Sequence, residues 1–193
     1  MPDKSYKKVL KNVRVLAVVA AILFAIHVIN VITGNYLLAY GILPRQLSYL
    51  PNILFAPFLH GSWAHLLNNL TGLIIFGGLC LLRSKQFFIY SSLYIIVVGG
   101  CLVWMFGRPL IHIGASGWVF GLWAVCICSA FIEKSFLSVV IAFFVIAFYG
   151  GMIYGLLPSS PGISFESHLF GALAGFLSLV YRFKWIKYFL KNK

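Results

Sequence analysis

Apolar residues form six long runs along the chain, separated by short polar breaks. Each run is close to the roughly 20 residues that an α-helix needs to cross the hydrocarbon core of a bilayer. The pattern therefore predicts an all-α, polytopic membrane protein, a bundle of six transmembrane helices with little chain outside it. The predicted spans are about 13–33, 63–82, 86–106, 112–132, 136–157 and 166–182.

The composition agrees with this pattern. The chain is 62% hydrophobic and 9% charged, with a mean hydropathy of +0.98. These values exclude a soluble globular domain, a disordered chain and a small disulfide scaffold. We expect a basic N-terminus over 1–12, a membrane domain over 13–182 and a basic tail over 183–193.

The net charge of +12 predicts the orientation in the membrane rather than a nucleic-acid partner. Basic residues collect in the cytoplasmic loops of membrane proteins. With both termini in the cytoplasm, thirteen of the fifteen Lys and Arg residues lie inside, and only Arg45 and Arg108 lie outside. We therefore expect a multi-pass protein of the cell membrane with both termini cytoplasmic and the lipid bilayer as its surroundings.

The longest piece outside the predicted spans is 34–62. It holds several Gly and Pro residues among aromatic and aliphatic ones, which makes it too broken to span and too apolar to extend into water. The pattern predicts an element that lies at the bilayer surface. Its role stays open.

Ser116 stands between Gly114 and Gly117 at the predicted outer start of the fourth span. Gly114 permits a tight backbone approach, and the first-turn N–H groups of the following helix have no intrahelical acceptor. A serine hydroxyl there lies beside donors that can hold an oxyanion. Taken alone, the motif is more typical of helix packing, because Gly117 and Gly121 form a GxxxG pattern.

His168 begins the sixth span from the same side of the membrane. Gly171 and Gly175 share its helical face, so the fourth and sixth helices can approach closely. A Ser–His pair within hydrogen-bond reach is the minimum for an activated hydroxyl nucleophile. The combination predicts Ser116 as the nucleophile and His168 as its base.

The acidic residues favour a dyad over a triad. The chain has only Asp3, Glu133 and Glu166, and the first two are expected on the cytoplasmic side. On a helix, Glu166 would point roughly 200° away from His168, although a loop position leaves its role open. No HExxH motif and no pair of aspartates within the spans is present, so we expect neither a metal nor a cofactor.

His65 and Asn69 are four residues apart and share one face of the second helix. Both side chains can donate hydrogen bonds to an oxyanion. Asn68 is the competing neighbour for this role. We expect His60 to be a structural hydrogen-bonding residue, and the sequence assigns no role to His112.

Taken together, the motifs resemble those of the rhomboid intramembrane serine proteases of the bacterial six-helix type. Their order, spacing and positions in the spans match a rhomboid core, and the resemblance covers nearly the whole chain. The matching patterns are HxxxxHxxxN (His60, His65 and Asn69), GxSG (Gly114–Gly117) and HxxGxxxG (His168, Gly171 and Gly175).

The resemblance implies a serine endopeptidase whose substrates are transmembrane helices, cleaved near their outer ends. It implies a Ser116–His168 dyad and an oxyanion site built from the Ser116 N–H with His65 and Asn69. We group Gly114 and Gly117 with this oxyanion and substrate-binding set. The residues expected to give structural support are His60, Phe120, Gly121, Gly171 and Gly175.

Two departures from the family pattern are visible. Many rhomboids have a Tyr four residues after the nucleophile, where this chain has Phe120, so the aromatic face is kept and the hydroxyl is lost. The usual Trp-Arg pair of the first loop is not evident, and Pro44-Arg45 is the nearest basic element.

Two other classes of function are possible for a polytopic membrane protein. A non-catalytic rhomboid-like protein that binds transmembrane helices is the alternative, but its expected signature is loss of the Ser or the His, and both are present. A transporter or channel is not favoured, because the inner halves of the spans hold no paired ionisable residues.

Overall fold

The computed structural model describes residues 4–158 and 164–191. Helices form where the sequence has its long apolar runs, because a helix satisfies its own backbone hydrogen bonds in lipid. The helices are α1 (Lys4–Ile32), α2 (Trp63–Arg83), α3 (Lys85–Tyr94), α4 (Gly100–Phe106), α5 (Ser116–Glu133), α6 (Phe136–Tyr149) and α7 (Phe165–Lys191).

Five helical stretches of the described chain are long and apolar enough to cross a bilayer. This confirms the prediction of an all-α, polytopic membrane fold. The sixth predicted span lies in α7, whose Glu166, His168 and Arg182 make it less apolar, so its crossing of the bilayer stays a prediction. The five stretches are Leu10–Ile32, Trp63–Arg83, Lys85–Phe106, Ser116–Glu133 and Phe136–Leu156.

The fourth helix begins later than the apolar pattern predicts. The sequence suggests a start near 112, whereas α5 starts at Ser116. The backbone of His112 pairs with Ile42, with N···O distances of 2.8 and 2.9 Å. Gly114 then adopts a φ of +104°, a value that no α-helix accommodates. Because of this late start, Ser116 lies at the N-terminus of α5 instead of one turn inside the helix.

Glycines allow α5 and α7 to pack closely. A Cβ on Gly171 would overlap the carbonyl oxygen of Gly117, and one on Gly175 would overlap that of Gly121. Close fit of this kind is what holds helices together in lipid, where apolar side chains gain little by meeting each other. The contact brings the first turn of α7 beside the first turn of α5.

The segment between α1 and α2 packs against the loop that precedes α5. The Arg45 guanidinium donates to the carbonyl of Gly107 in that loop at 2.9 Å. Within the segment itself, the side-chain amide of Asn52 donates to the carbonyl of Gly41 at 3.0 Å. Its location at the bilayer surface stays a prediction. The segment includes the 3₁₀ turns Tyr36–Tyr40, Leu47–Leu54 and Ala56–Phe58.

Candidate active site

Ser116 is the first residue of α5 and is half-buried. The positive φ of Gly114 turns the chain sharply before it, and Ala115 serves as the N-cap. The N–H groups of a first helical turn have no intrahelical acceptor, so they remain available to a ligand. The partial positive charge at the helix N-terminus adds to their attraction for an oxyanion.

His168 lies in the first turn of α7, with its ring held on two sides. The Phe120 ring stacks on it with centroids 4.1 Å apart and an interplanar angle of 9°. The Nδ1–H donates to the Gly155 carbonyl at 2.9 Å. Because a carbonyl can only accept, Nδ1 carries the hydrogen, and the neutral ring keeps Nε2 as a free acceptor.

Gly155 is a site residue that the motifs do not reveal. A Cβ at this position would lie 2.6 Å from Cζ of Phe120 and 3.6 Å from Nδ1 of His168. Only a glycine lets the 3₁₀ turn Gly150–Leu156 reach the histidine. The partner of His168 is therefore a backbone carbonyl, which any residue type carries, so no side-chain pattern could have identified it.

One cavity of about 750 Å³ brings the predicted residues together. Ser116 and His168 both line it, and Phe120 forms part of its floor. The apolar side chains of the wall come from α2, the loop before α5, α5 and the 3₁₀ turn after α6, and are Ile75, Phe76, Ile111, Ile113, Val119 and Met152. The polar side chains in the lining are Ser62, His65, Asn68, Asn69, Thr71, Ser116, Tyr149, Ser164 and His168.

His65 and Asn69 project into this cavity from α2. The Ser62 hydroxyl caps the helix by accepting from the His65 N–H at 3.1 Å, which sets the start of the helix and the face that both residues share. Asn69 is 6% exposed, and its Nδ2 has no hydrogen-bond partner in the structure. A buried amide N–H₂ without an acceptor is costly, and such a group is available to a ligand oxygen.

The two predicted glycines of the oxyanion set occupy different surroundings. A Cβ on Gly114 would lie 2.5 Å from Nε2 of His65 and 3.4 Å from Nδ2 of Asn69, so a glycine lets the turn before Ser116 approach these two side chains closely. Gly117 faces α7 instead, where a Cβ would lie 2.8 Å from the Ser167 carbonyl oxygen. Neither glycine is part of the cavity lining, and Gly117 lies in the contact between α5 and α7.

The chain is similar to known proteins of one family. The Rhomboid domain model matches residues 47–185. The chain belongs to the rhomboid family. An uncharacterised protein of Mycobacterium tuberculosis is 34% identical over 165 residues, covering 80% of this chain and 68% of its own. An uncharacterised protein of Mycobacterium leprae is 32% identical over 165 residues, covering 80% and 65%.

A plant relative matches a shorter part of the chain. Rhomboid-like protein 11, chloroplastic, of Arabidopsis thaliana is 40% identical over 74 residues, covering 37% of this chain and 26% of its own. The family is therefore represented in both bacteria and a plant organelle among these relatives.

In this rhomboid protein His60 supports the turn before Ser116. The His60 ring is fully buried, and its Nε2 accepts from the Ala115 N–H at 3.4 Å. Its ring meets that of His65 edge to face, with centroids 5.0 Å apart. Burial, reinforced by the nearby His65, lowers the pKa of His60 to about 4, so the ring stays neutral and able to accept.

Two long-range polar contacts attach the start of α7 to the loop before α5. Glu166 forms an ion pair with Arg108, and the hydrogen bond raises the pKa of that guanidinium. The His112 ring contacts the Ser164 hydroxyl through Nδ1 at 2.5 Å. Glu166 thus points at Arg108 rather than serving His168.

These partners were not predicted. Each pair is separated by more than 50 residues of chain, and neither forms a local pattern in the sequence.

Within the described ranges, no group of three or more His, Cys, Asp or Glu side chains could hold a metal ion.

Proposed function

We propose that this rhomboid protein is an intramembrane serine endopeptidase that cleaves transmembrane-helix substrates. In the proposed reaction, His168 Nε2 takes the proton from the Ser116 hydroxyl as Oγ attacks the scissile carbonyl carbon. The histidine then gives that proton to the departing amine. Water, activated by the same ring, later hydrolyses the acyl-enzyme and restores the serine.

The observation that carries the proposal is the state of the His168 ring. Its Nδ1–H is bound to the Gly155 carbonyl, which leaves Nε2 as the acceptor on a ring that lines the same cavity as Ser116. A catalytic histidine needs this tautomer, and a third group normally enforces it. A backbone carbonyl does so here without adding a charge to a low-dielectric site.

The oxyanion formed by the attack is assigned to the Ser116 N–H and to the side chains of Asn69 and His65. Support comes from the partnerless Nδ2 of Asn69 and from Gly114, whose missing Cβ lets the turn before Ser116 approach the His65 ring closely. Preorganised donors of this kind stabilise the transition state because they need no reorientation during the reaction.

The substrate class follows from the mixed lining of the cavity and from its membrane setting. A helical substrate hides its carbonyls in its own hydrogen bonds, so a segment must unwind before Oγ can reach one. Residues near the outer end of a substrate helix meet this requirement most easily. In the proposed orientation both termini of the enzyme are cytoplasmic, and Ser116 faces the outer side of the cell membrane.

The test is cleavage of a transmembrane substrate with a helix-breaking segment by the purified protein in detergent. Ser116→Ala should lower the rate of cleavage by at least about 10³-fold while substrate binding persists. Thr71→Ala is the matched control, since this hydroxyl lines the same cavity and binds the Leu67 carbonyl. It should keep most of the activity.

Two outcomes would contradict the proposal. Cleavage by Ser116→Ala at the wild-type rate would assign the reaction to another group. Binding of the substrate by the wild-type protein with no cleavage, under conditions where the substrate segment is unwound, would favour the non-catalytic alternative.

A further inference from the structure

A second polar cavity lies at the end of the bundle remote from Ser116. It has a volume of about 300 Å³. Glu133, the last residue of α5, belongs to it, whereas Ser116 is the first residue of that helix. The two ends of α5 are about 25 Å apart, close to the thickness of the hydrocarbon core. The lining consists of Arg83, Ser84, Phe87, Glu133, Arg182 and Phe183.

Two guanidinium groups and one carboxylate line this cavity. Arg83 forms an ion pair with Glu133, and their side chains are 14% and 24% exposed. Arg83 also lies over the Phe87 ring at 4.2 Å, and Arg182 lies over the same ring at 5.0 Å. The lining therefore has two positive charges and one negative charge, which leaves a net charge of +1 in surroundings partly shielded from water.

The N-terminus of α3 contributes to the same cavity. Ser84 is the N-cap of α3, and its hydroxyl oxygen accepts from the Phe87 N–H at 3.0 Å. The hydroxyl hydrogen remains free to donate. A helix N-terminus attracts anions through its unpaired N–H groups and its dipole. Here the N-terminus of α3 lies in the same cavity as Arg182, the arginine whose charge Glu133 does not balance.

We propose that this cavity binds the phosphate group of an anion at the membrane surface. Arginine matches phosphate because its planar fork donates two parallel hydrogen bonds. The cavity lies where α2 and α5 end, which is the level of the lipid headgroups in a spanning bundle. Basic pockets between transmembrane helices are suited to anionic lipid headgroups. The inference is independent of catalysis, since nothing in this cavity contacts Ser116 or His168.

The experiment measures binding of phosphatidylglycerol to the full-length protein in neutral detergent by native mass spectrometry. Arg182→Gln should weaken binding by about tenfold or more, as expected for loss of a charge-assisted hydrogen bond. Lys184→Gln is the matched control. It removes the same charge two residues away, from an exposed side chain outside the cavity, and should weaken binding at most about fivefold.

A second pair of variants keeps the proposal testable if Arg182→Gln does not fold. Arg182→Lys keeps the charge but loses the planar fork, so it should weaken binding more than Lys184→Arg, which should leave binding unchanged. Equal effects at the two positions, in either pair of variants, would overturn the proposal and reduce the attraction to a general surface charge.

Inorganic phosphate separates the two sources of the same chemistry. Competition by phosphate that depends on Arg182 identifies the phosphate group alone as the ligand. Binding of phosphatidylglycerol that depends on Arg182 but resists inorganic phosphate identifies the lipid headgroup. Competition that persists in Arg182→Gln would place the anion elsewhere and overturn the proposal.

Discussion

The Asn69 amide shows how a single residue can be destabilising and useful at once. Its Nδ2 is buried without an acceptor, although its neighbour Asn68 is exposed on the same cavity. An unsatisfied buried donor costs about 1–3 kcal/mol of folding free energy. A substrate oxyanion would supply the missing acceptor, so the same group would favour the transition state over the resting enzyme.

We predict that Asn69→Ala lowers kcat by about 10²–10³-fold, as for other oxyanion donors. The thermal stability of the variant should stay equal to the wild type or rise, because no hydrogen bond is lost. Asn68→Ala is the control and should change kcat little. Loss of turnover in Asn68→Ala with unchanged turnover in Asn69→Ala would transfer the role to the neighbour.

A second residue-scale prediction concerns the ion pair between Glu166 and Arg108. Glu166→Gln removes the charge that attaches the start of α7 to the loop before α5. Since His168 follows two residues later, we expect kcat to fall by up to about 10²-fold through misplacement, with KM changed less. Glu133→Gln breaks the ion pair with Arg83 at the other end of the bundle. With both variants corrected for folded fraction, an equal loss of kcat would show that the effect is not specific to the start of α7.

At the scale of helices, the contact between α5 and α7 determines how Ser116 and His168 are placed relative to each other. The backbone of Gly171 lies against the backbone of Gly117, so the distance between the helices is set by the absence of side chains. Helix propensity opposes this choice, because glycine is about 1 kcal/mol less favourable than alanine inside a helix. The packing in lipid outweighs that loss.

We predict that Gly171→Ala lowers both turnover and thermal stability, because its Cβ would overlap the Gly117 carbonyl. A shift of 1 Å between the helices can lower the rate about 10²-fold. Gly78→Ala is the matched control on α2, where a Cβ meets only Leu16 at 3.8 Å. That variant should be active and no less stable. Full activity in Gly171→Ala would show that the helices meet through other residues.

At the scale of the whole molecule, charge and hydropathy together determine how the chain lies in a membrane. Five helical stretches of the described residues are apolar enough to span, and the sixth predicted span lies in the more polar α7. An even number of spans places both termini on one side of the bilayer. The basic residues before the first span and after the sixth favour the cytoplasm for both.

The topology prediction is tested with reporters fused to each terminus in a bacterial host. Green fluorescent protein should fluoresce at both termini, because it folds in the cytoplasm. Alkaline phosphatase should be inactive at both termini, because it folds only on the outer side of the membrane. Active phosphatase at the C-terminus with a fluorescent N-terminal fusion would mean that α7 does not cross the membrane.

Much of the fold could be predicted because the bilayer imposes a simple rule. Any spanning segment must be apolar and must satisfy its own backbone, so the runs of apolar residues coincide with the helices. The apolar pattern predicts too early a start for α5, because Ile111 and Ile113 extend the run across His112, whose backbone instead pairs with that of Ile42. A contact 70 residues away in the chain has no local signal.

The sequence by itself determined the helical membrane fold, the family and the candidate residues, because hydropathy and motif spacing are local properties of the chain. The tertiary structure alone decided that Gly155 holds His168, that Arg108 takes Glu166, and that Gly117 faces α7 instead of the cavity. Each of these depends on which helices become neighbours. Packing between segments distant in sequence sets that choice, and a backbone carbonyl or a missing Cβ leaves no mark in the pattern of residues.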